Sequence, residues 1–411
     1  MYSRIDRCRI CGNENLVEVL DLGIQALTGV FPKSRSEAVT SGPLKLVKCF
    51  GGQNESCGLV QLQHSYELAE LYGDNYGYRS GLNASMVEHL QSKVRDILGR
   101  IEIERGSLVI DIGSNDATTL KAYPAGQYTL VGVDPTGAKF SSFYPSHIRL
   151  IPDFFSSAKI REVFGASKAS VVTSFSMFYD LEDPMQFMRE VSEVLHDQGL
   201  WVFEQSYLPT MLARNSYDTV CHEHVEYYAL RQISWMTERS GLQIVDVEFN
   251  DVNGGSFSVV AAKQQSRHAP SERVASALQA EVELELETLK PYQQFARRVS
   301  ASREGLRAFV ADAVRSGKTV AALGASTKGN VILQYCDFTD ADISSIGEVN
   351  ADKFGRFTPG TLIPIVPEDE LLNSGPDYLL VLPWHFRRFF EANARFAERN
   401  LVFPLPVLDI G

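Results

Sequence analysis

The sequence predicts an α/β chain of three consecutive units: a small cysteine-bearing domain, a doubly wound domain and a second, smaller Rossmann-like unit. Three observations carry this reading. Four of the six cysteines fall within the first 57 residues. From Ser107 to about Lys263, compact β-branched or apolar runs alternate with helical patterns. After a helical stretch the strand–turn–helix rhythm restarts and runs to the C-terminus. The expected divisions are 1–70, 71–265 and 266–411.

Composition narrows the function classes. With 44% hydrophobic and 22% charged residues the chain is an ordinary globular protein. Its formal net charge of −12 argues against a nucleic-acid partner, whose phosphates need a basic footprint. Phosphorylated small molecules stay open, because a few local cations and backbone amides suffice to hold them. The start, MYSRIDRCRICG, has no apolar signal core, and no apolar run of membrane-spanning length follows. The expectation is a reduced, cytoplasmic protein without a membrane span, a monomer or small homo-oligomer.

In the first unit, Cys8 and Cys11 have the C-x2-C spacing of a zinc knuckle, and Cys49 and Cys57 form a second, wider pair around FGGQNES. Four thiolates suit tetrahedral zinc and leave no open position for substrate, so the expected role is a structural staple. Substituting Cys57 is expected to harm stability more than chemistry at a remote centre.

Each further element has its own signal. YGDNYGYRSGLNASM precedes a helical pattern through Val87, Leu90, Val94 and Leu98. SLVIDIG, YTLVGVD, ASVVTSF and LWVFEQS read as strands of a parallel doubly wound sheet. Between the last two, Phe187, Val191, Val194 and Leu195 line one face of a helix over Pro184–Asp197, ended by Gly199. Residues 268–312 read as mostly helical, with Val274, Leu278, Val282 and Leu286 every four residues and an interruption at Pro291. KTVAALGASTKGN, ISSIGEVN and PDYLLVLPW open the last α/β unit.

Chemistry concentrates in three places. In LVIDIGSNDATTL (Leu108–Leu120) a strand runs into Asp111, Gly113, Ser114 and Asn115, where glycine lets the backbone approach a ligand. The loop lacks the second and third glycines of a pyrophosphate cradle. Asp134, beside Pro135 at the end of the next strand, can accept both hydroxyls of a ribose. Acid and glycine without a diphosphate loop point to S-adenosylmethionine, with Asp111 near its amino group and Asp153, Phe154 and Phe155 near its adenine. The run Cys221-His222-Glu223-His224 lacks the H-E-x-x-H spacing of a helical metal site, so acid–base work is expected of it. In an extended segment His222 shares a face with His224 and competes with it as base. Third, Gly324–Lys328 opens a helix after a strand, a natural cradle for phosphate with Lys328 as its cation.

Along essentially its whole length the chain resembles the sugar C-methyltransferases of deoxysugar biosynthesis. The likeness rests on the four-cysteine domain, YGDNYGY, the VIDIGSNDATTL loop, the HEH run and the Asn253–Ser256 turn, with LGASTKG, DKFGRFTPGTLIPI and LPWHF further on. It implies methylation of a nucleotide-linked 4-keto-hexose, with C3 as the expected carbon, in a subgroup associated with bacterial surface polysaccharides. It implies His224 as base with Glu223 preceding it, and Tyr76 near the reacting sugar. Tyr76, Tyr78 or His222 would donate to the enolate oxygen, Asn253 would contact substrate, and Lys328, Lys353, Thr358 and Trp384 would hold the nucleotide diphosphate. The chain departs from the family at Cys221, where tyrosine is usual, and at Asp180, where histidine is usual. Two other readings stand beside this one: an O- or N-methyltransferase acting on a nucleotide sugar, and a zinc-stapled binding protein without turnover.

Overall fold

A computed structural model describes residues 2–52, 56–71 and 78–410. Tyr76 lies outside the described residues. In the first unit the Cys8 amide donates to Asn13 O and the Gly12 amide to Cys8 O, both at 2.9 Å, folding the C-x2-C segment into a knuckle. The four Sγ atoms of Cys8, Cys11, Cys49 and Cys57 lie within 4.8 Å of one another, with Cys8–Cys57 at 3.4 Å and Cys11–Cys49 at 3.5 Å. Four thiols converging on one point fit tetrahedral zinc with bonds of ~2.3 Å.

Behind the cluster, strands Leu16–Ala26, Ser41–Cys49 and Val60–Leu62 pair antiparallel. The fourth strand of this sheet comes from the middle of the chain: Glu226 pairs with Gln61 and Tyr227 with Val60. The sheet of the first unit is thus completed by residues that directly follow the HEH run.

The middle sheet has seven strands in the order Leu242–Asn250, Ser256–Lys263, Leu195–Ser206, Ala169–Phe175, Leu108–Ile112, Thr129–Val133 and Ile148–Ile151. The four strands read from sequence pair parallel to one another. Ser256–Lys263 runs antiparallel to both its neighbours, so the sheet is mixed where an all-parallel one was expected. The five residues joining it to Leu242–Asn250 are too few for a crossover and can only make a hairpin.

Two helix expectations are corrected. The helix begun by Pro184 and capped by Asp183, whose Oδ1 accepts from Gln186 N at 2.8 Å, ends at Val194, because Leu195 already pairs with Ala169. In Glu272–Glu283 the buried line is Val274, Ala277 and Glu281, while Val282 is 64% exposed. A strict spacing of four walks around a 3.6-residue helix, so Val282 leaves the face that Val274 starts. The helical stretch does break just before Pro291, over 284–289, and Pro291 sits in the first turn of the next helix, Lys290–Arg315, where its missing N–H is harmless.

The last unit is a six-stranded sheet, parallel except for its final pair, Leu401–Phe403 with Asp409–Ile410. The first unit docks into it. Gln334 donates to Ala26 O at 3.1 Å and accepts from Ala26 N at 2.7 Å, Asn330 donates to Thr28 O at 2.7 Å, and Phe357 N donates to Pro32 O at 2.9 Å. Among the described residues no helix is long and apolar enough to cross a membrane.

The zinc cluster is not remote from the HEH run. Gln232 donates to Cys57 O at 3.0 Å, and Leu62 N, five residues beyond Cys57, donates to Val225 O at 2.8 Å. Elemental analysis is expected to find one zinc per chain, and Cys57→Ser to lose it together with both thermal stability and turnover. A zinc-free Cys57→Ser protein with wild-type melting and activity would contradict this placement.

Candidate active site

The strand Leu108–Ile112 delivers its chain into three left-handed residues: Gly113 at φ +73°, Asn115 at +50° and Ala117 at +62°. The positive φ favours glycine at 113, and a Cβ there would also meet Met177 Cγ at 3.0 Å, a tight contact that Met177 would have to yield to. The Asn115 amide donates to Asp134 Oδ2 at 2.8 Å, and the other carboxylate oxygen of Asp134 accepts from the amide and hydroxyl of Thr136, both at 2.6 Å. Asp134 therefore holds its own strand end and the glycine loop together. Asp111 is buried; Thr173 donates to it at 2.5 Å, yet burial pushes its carboxyl up to about 7.

The loop also anchors what covers it. Asn115 accepts from Ser80 N at 3.0 Å and donates to Tyr78 O at 3.2 Å, and Asp116 accepts from Gly81 N at 3.0 Å. Tyr144 OH donates to Asn115 O at 2.9 Å and accepts from Ser114 Oγ at 2.7 Å. Sequence reading missed Asp116 and Tyr144; the only signal for Asp116 was a second acid in a loop already read for its glycine.

A cavity of about 540 Å³ runs from this loop to the HEH run. Asp111, Gly113, Ser114, Asn115, Asp134, Pro135 and Phe154 line one end. Glu223, His224, Asn253 and Lys328 line the other, and Tyr78 is also in its wall. Cys221 and Asp180, the two departures from the family pattern, line it as well.

Other expected residues lie elsewhere. Asp153 is exposed, paired with Lys159 and outside the cavity lining, whereas Phe154 and Phe155 line the cavity. His222 is wholly buried outside the cavity lining, its ring edge-on to Tyr66 at 4.7 Å. The segment is a turn, closed by His224 N donating to Cys221 O at 3.2 Å, so the two imidazoles diverge. Lys353 donates to Ala325 O at 2.6 Å, bracing the Gly324–Lys328 loop. Thr358 accepts from Ile363 N at 2.9 Å, and Trp384 donates to Asp218 Oδ2 at 2.8 Å. All three lie outside the cavity lining and tie loops together.

His224 is set for one task. Its Nδ1 lies 3.0 Å from Thr219 O. A carbonyl only accepts, so Nδ1 carries the proton and Nε2 keeps its lone pair. Burial, aided by the positive charge of Lys328, pushes the imidazole down to about 4, so it is neutral at pH 7. The Tyr179 ring lies 4.3 Å away. Burial pushes the Glu223 carboxyl above its ordinary range. A Cβ on Gly29 would come within 2.5 Å of Glu223 Oε1, so the first unit reaches the site through a glycine.

A seven-stranded sheet with one antiparallel strand, a glycine turn after its first strand and an acid ending the second define an S-adenosylmethionine-dependent methyltransferase of class I. Family models agree: a zinc binding domain matches residues 8–72, a methyltransferase domain 86–247 and a C-methyltransferase C-terminal domain 251–406. C-methyltransferase NovU of Streptomyces niveus is 30% identical over 408 residues, covering 98% of this chain and 96% of that protein. The chain belongs to this C-methyltransferase family. Solved structures overlap it less closely. A chain of the complex between the Haloferax volcanii Trm112 activator and a methyltransferase has TM-score 0.37 and 14% identity, covering 45% of this chain and 95% of that one. An O-methyltransferase family protein from Burkholderia thailandensis has TM-score 0.33 and 17% identity, covering 45% and 59%.

Asp134→Ala is expected to weaken S-adenosylmethionine binding by ~1–3 kcal/mol, the scale of a lost charge-assisted hydrogen bond. Calorimetry showing an unchanged dissociation constant would remove Asp134 from the cofactor site.

Proposed function

We propose that this C-methyltransferase acts at C3 of a nucleotide-linked 4-keto-hexose, through an enolate, in the making of a branched sugar. One observation carries the reading: a neutral histidine with a fixed tautomer faces the same cavity as the cofactor loop. Carbon is a poor nucleophile until it is made an enolate, and a ketone at C4 acidifies the proton on C3. His224 Nε2 takes that proton. Glu223 positions the imidazole, and Tyr76 and Tyr78 are assigned to the sugar. The nucleotide is assigned to the C-terminal unit, with Lys353, Thr358 and Trp384 ordering the loops that meet it. When bound, S-adenosylmethionine supplies the electrophile, a methyl carried on a sulfonium.

The test is incubation with S-adenosylmethionine and a panel of dTDP-, GDP- and CDP-linked 4-keto sugars deuterated at C3, read by mass spectrometry. Wild-type protein is expected to wash out the deuterium and add one methyl. His224→Ala is expected to lose ~10²–10⁴ in both rates, the usual weight of a general base, with S-adenosylmethionine affinity unchanged. Methylation without washout would favour an oxygen or nitrogen acceptor. Full activity of His224→Ala would overturn the mechanism.

A further inference from the structure

We infer that Lys328 is a catalytic residue whose ammonium faces the C4 oxygen of the keto-sugar and takes up the negative charge formed there as His224 removes the C3 proton. The inference rests on the proposed reading and reassigns Lys328 from the phosphate cradle that its loop suggests.

The first argument is charge. Among the described residues lining the cavity, Lys328 is the only lysine or arginine, against seven aspartates and glutamates. A diphosphate brought into this wall would meet one cation and many carboxylates. An enolate oxygen needs only one or two N–H donors.

The second is how the ammonium is held. Its Nζ donates to Asn253 O at 2.6 Å. Among the described residues it makes no other hydrogen bond and no ion pair. An ammonium has three N–H groups, so two remain for a ligand. A lysine sunk in a cavity wall without a carboxylate partner is costly to keep charged, and a ligand oxygen that takes up its two free N–H groups compensates that cost. Burial pulls the Lys328 ammonium below its ordinary range, with the nearby Asp218 opposing the shift, and Asp218 already accepts the Trp384 indole N–H.

The third is the backbone that aims it. Asn253 is left-handed at φ +55° and is followed by Gly254 at +93° and Gly255 at +130°. Arg214 donates to Gly254 O at 3.0 Å and fixes this turn. Strain of this kind survives where surrounding contacts impose it, and here it points a carbonyl at Nζ. Ser326 caps the helix that carries Lys328, accepting from Gly329 N at 3.0 Å, so the positive end of that helix faces the same space.

The step balances without any further reagent. His224 Nε2 takes the C3 proton, the C–H pair becomes the C3–C4 π bond, and the carbonyl π pair moves onto the C4 oxygen. Lys328 donates a hydrogen bond to that oxygen and stays an ammonium.

The test uses the panel sugar that the wild type methylates. Lys328→Gln and the closer isostere Lys328→Met are expected to lower both deuterium washout and kcat by ~10²–10³, as when one oxyanion donor is removed. KM for the nucleotide sugar is expected to change less than ~3-fold. Lys328→Arg is expected to recover part of the washout. Circular dichroism and S-adenosylmethionine affinity identify whichever variant folds. A KM raised tenfold or more with washout and kcat intact would return Lys328 to phosphate binding and overturn the inference. Washout absent from the wild type itself would overturn the enolate reading, and the inference with it.

Discussion

The two-residue strand Glu226–Tyr227, paired with Val60–Gln61, is the contact on which the site depends. It fixes the chain directly after His224, while Thr219, which accepts from His224, is held before it by Ser216 O at 2.8 Å. The partner strand starts three residues after Cys57, so the thiol cluster seats the strand that holds the chain just after His224. Arg9, inside the C-x2-C segment, adds a second tie. Its nearly buried guanidinium donates to Leu62 O at 2.7 Å, Ser65 Oγ at 2.9 Å and Glu182 Oε2 at 3.0 Å, and Glu182 lines the cavity. In the proposed mechanism, the cysteine cluster thereby helps set the geometry of His224, the proposed base.

The cavity stores strain as well as charge. Asn115, Ser176 and Asn253 are all left-handed, come from three separate segments, and line the same cavity. Such residues cost ~1–3 kcal/mol each and persist only when other contacts over-determine them. Here those contacts are visible: Asp134 on the Asn115 amide, Arg214 on the Gly254 carbonyl, and Asn253 Nδ2 on Ser176 Oγ at 3.4 Å. Burial shapes the titratable groups that line the same cavity. It keeps His224 neutral and raises the Asp111 carboxyl, since a low-dielectric wall disfavours either charge.

Much of this was legible in the sequence, and the failures have physical causes. Strand–helix alternation and the LVIDIG turn exposed the doubly wound core, because a buried parallel strand must be continuously apolar. The cysteine spacings located the zinc site. The hairpin at 242–263 was missed because its antiparallel sense depends on connection length rather than on strand composition. His222 and His224 looked equivalent because two residues apart means a shared face only if the segment is extended; the turn at Cys221 breaks that. Lys353, Thr358 and Trp384 sit in loops that carry the family's signature, and a motif marks a loop without saying whether its side chains face ligand or chain. The strand exchange at Glu226–Tyr227 left no local signal, since it joins positions about 165 residues apart.

Hydrogen exchange on the zinc-loaded and zinc-stripped protein reads whether the thiol cluster holds the segment around His224. Removing zinc is expected to strip protection from the amides of residues 219–228 and from Val60–Leu62, while the strands Leu108–Ile112 and Ala169–Phe175 stay protected. Unchanged protection at 219–228 in a protein shown to have lost its metal would contradict it.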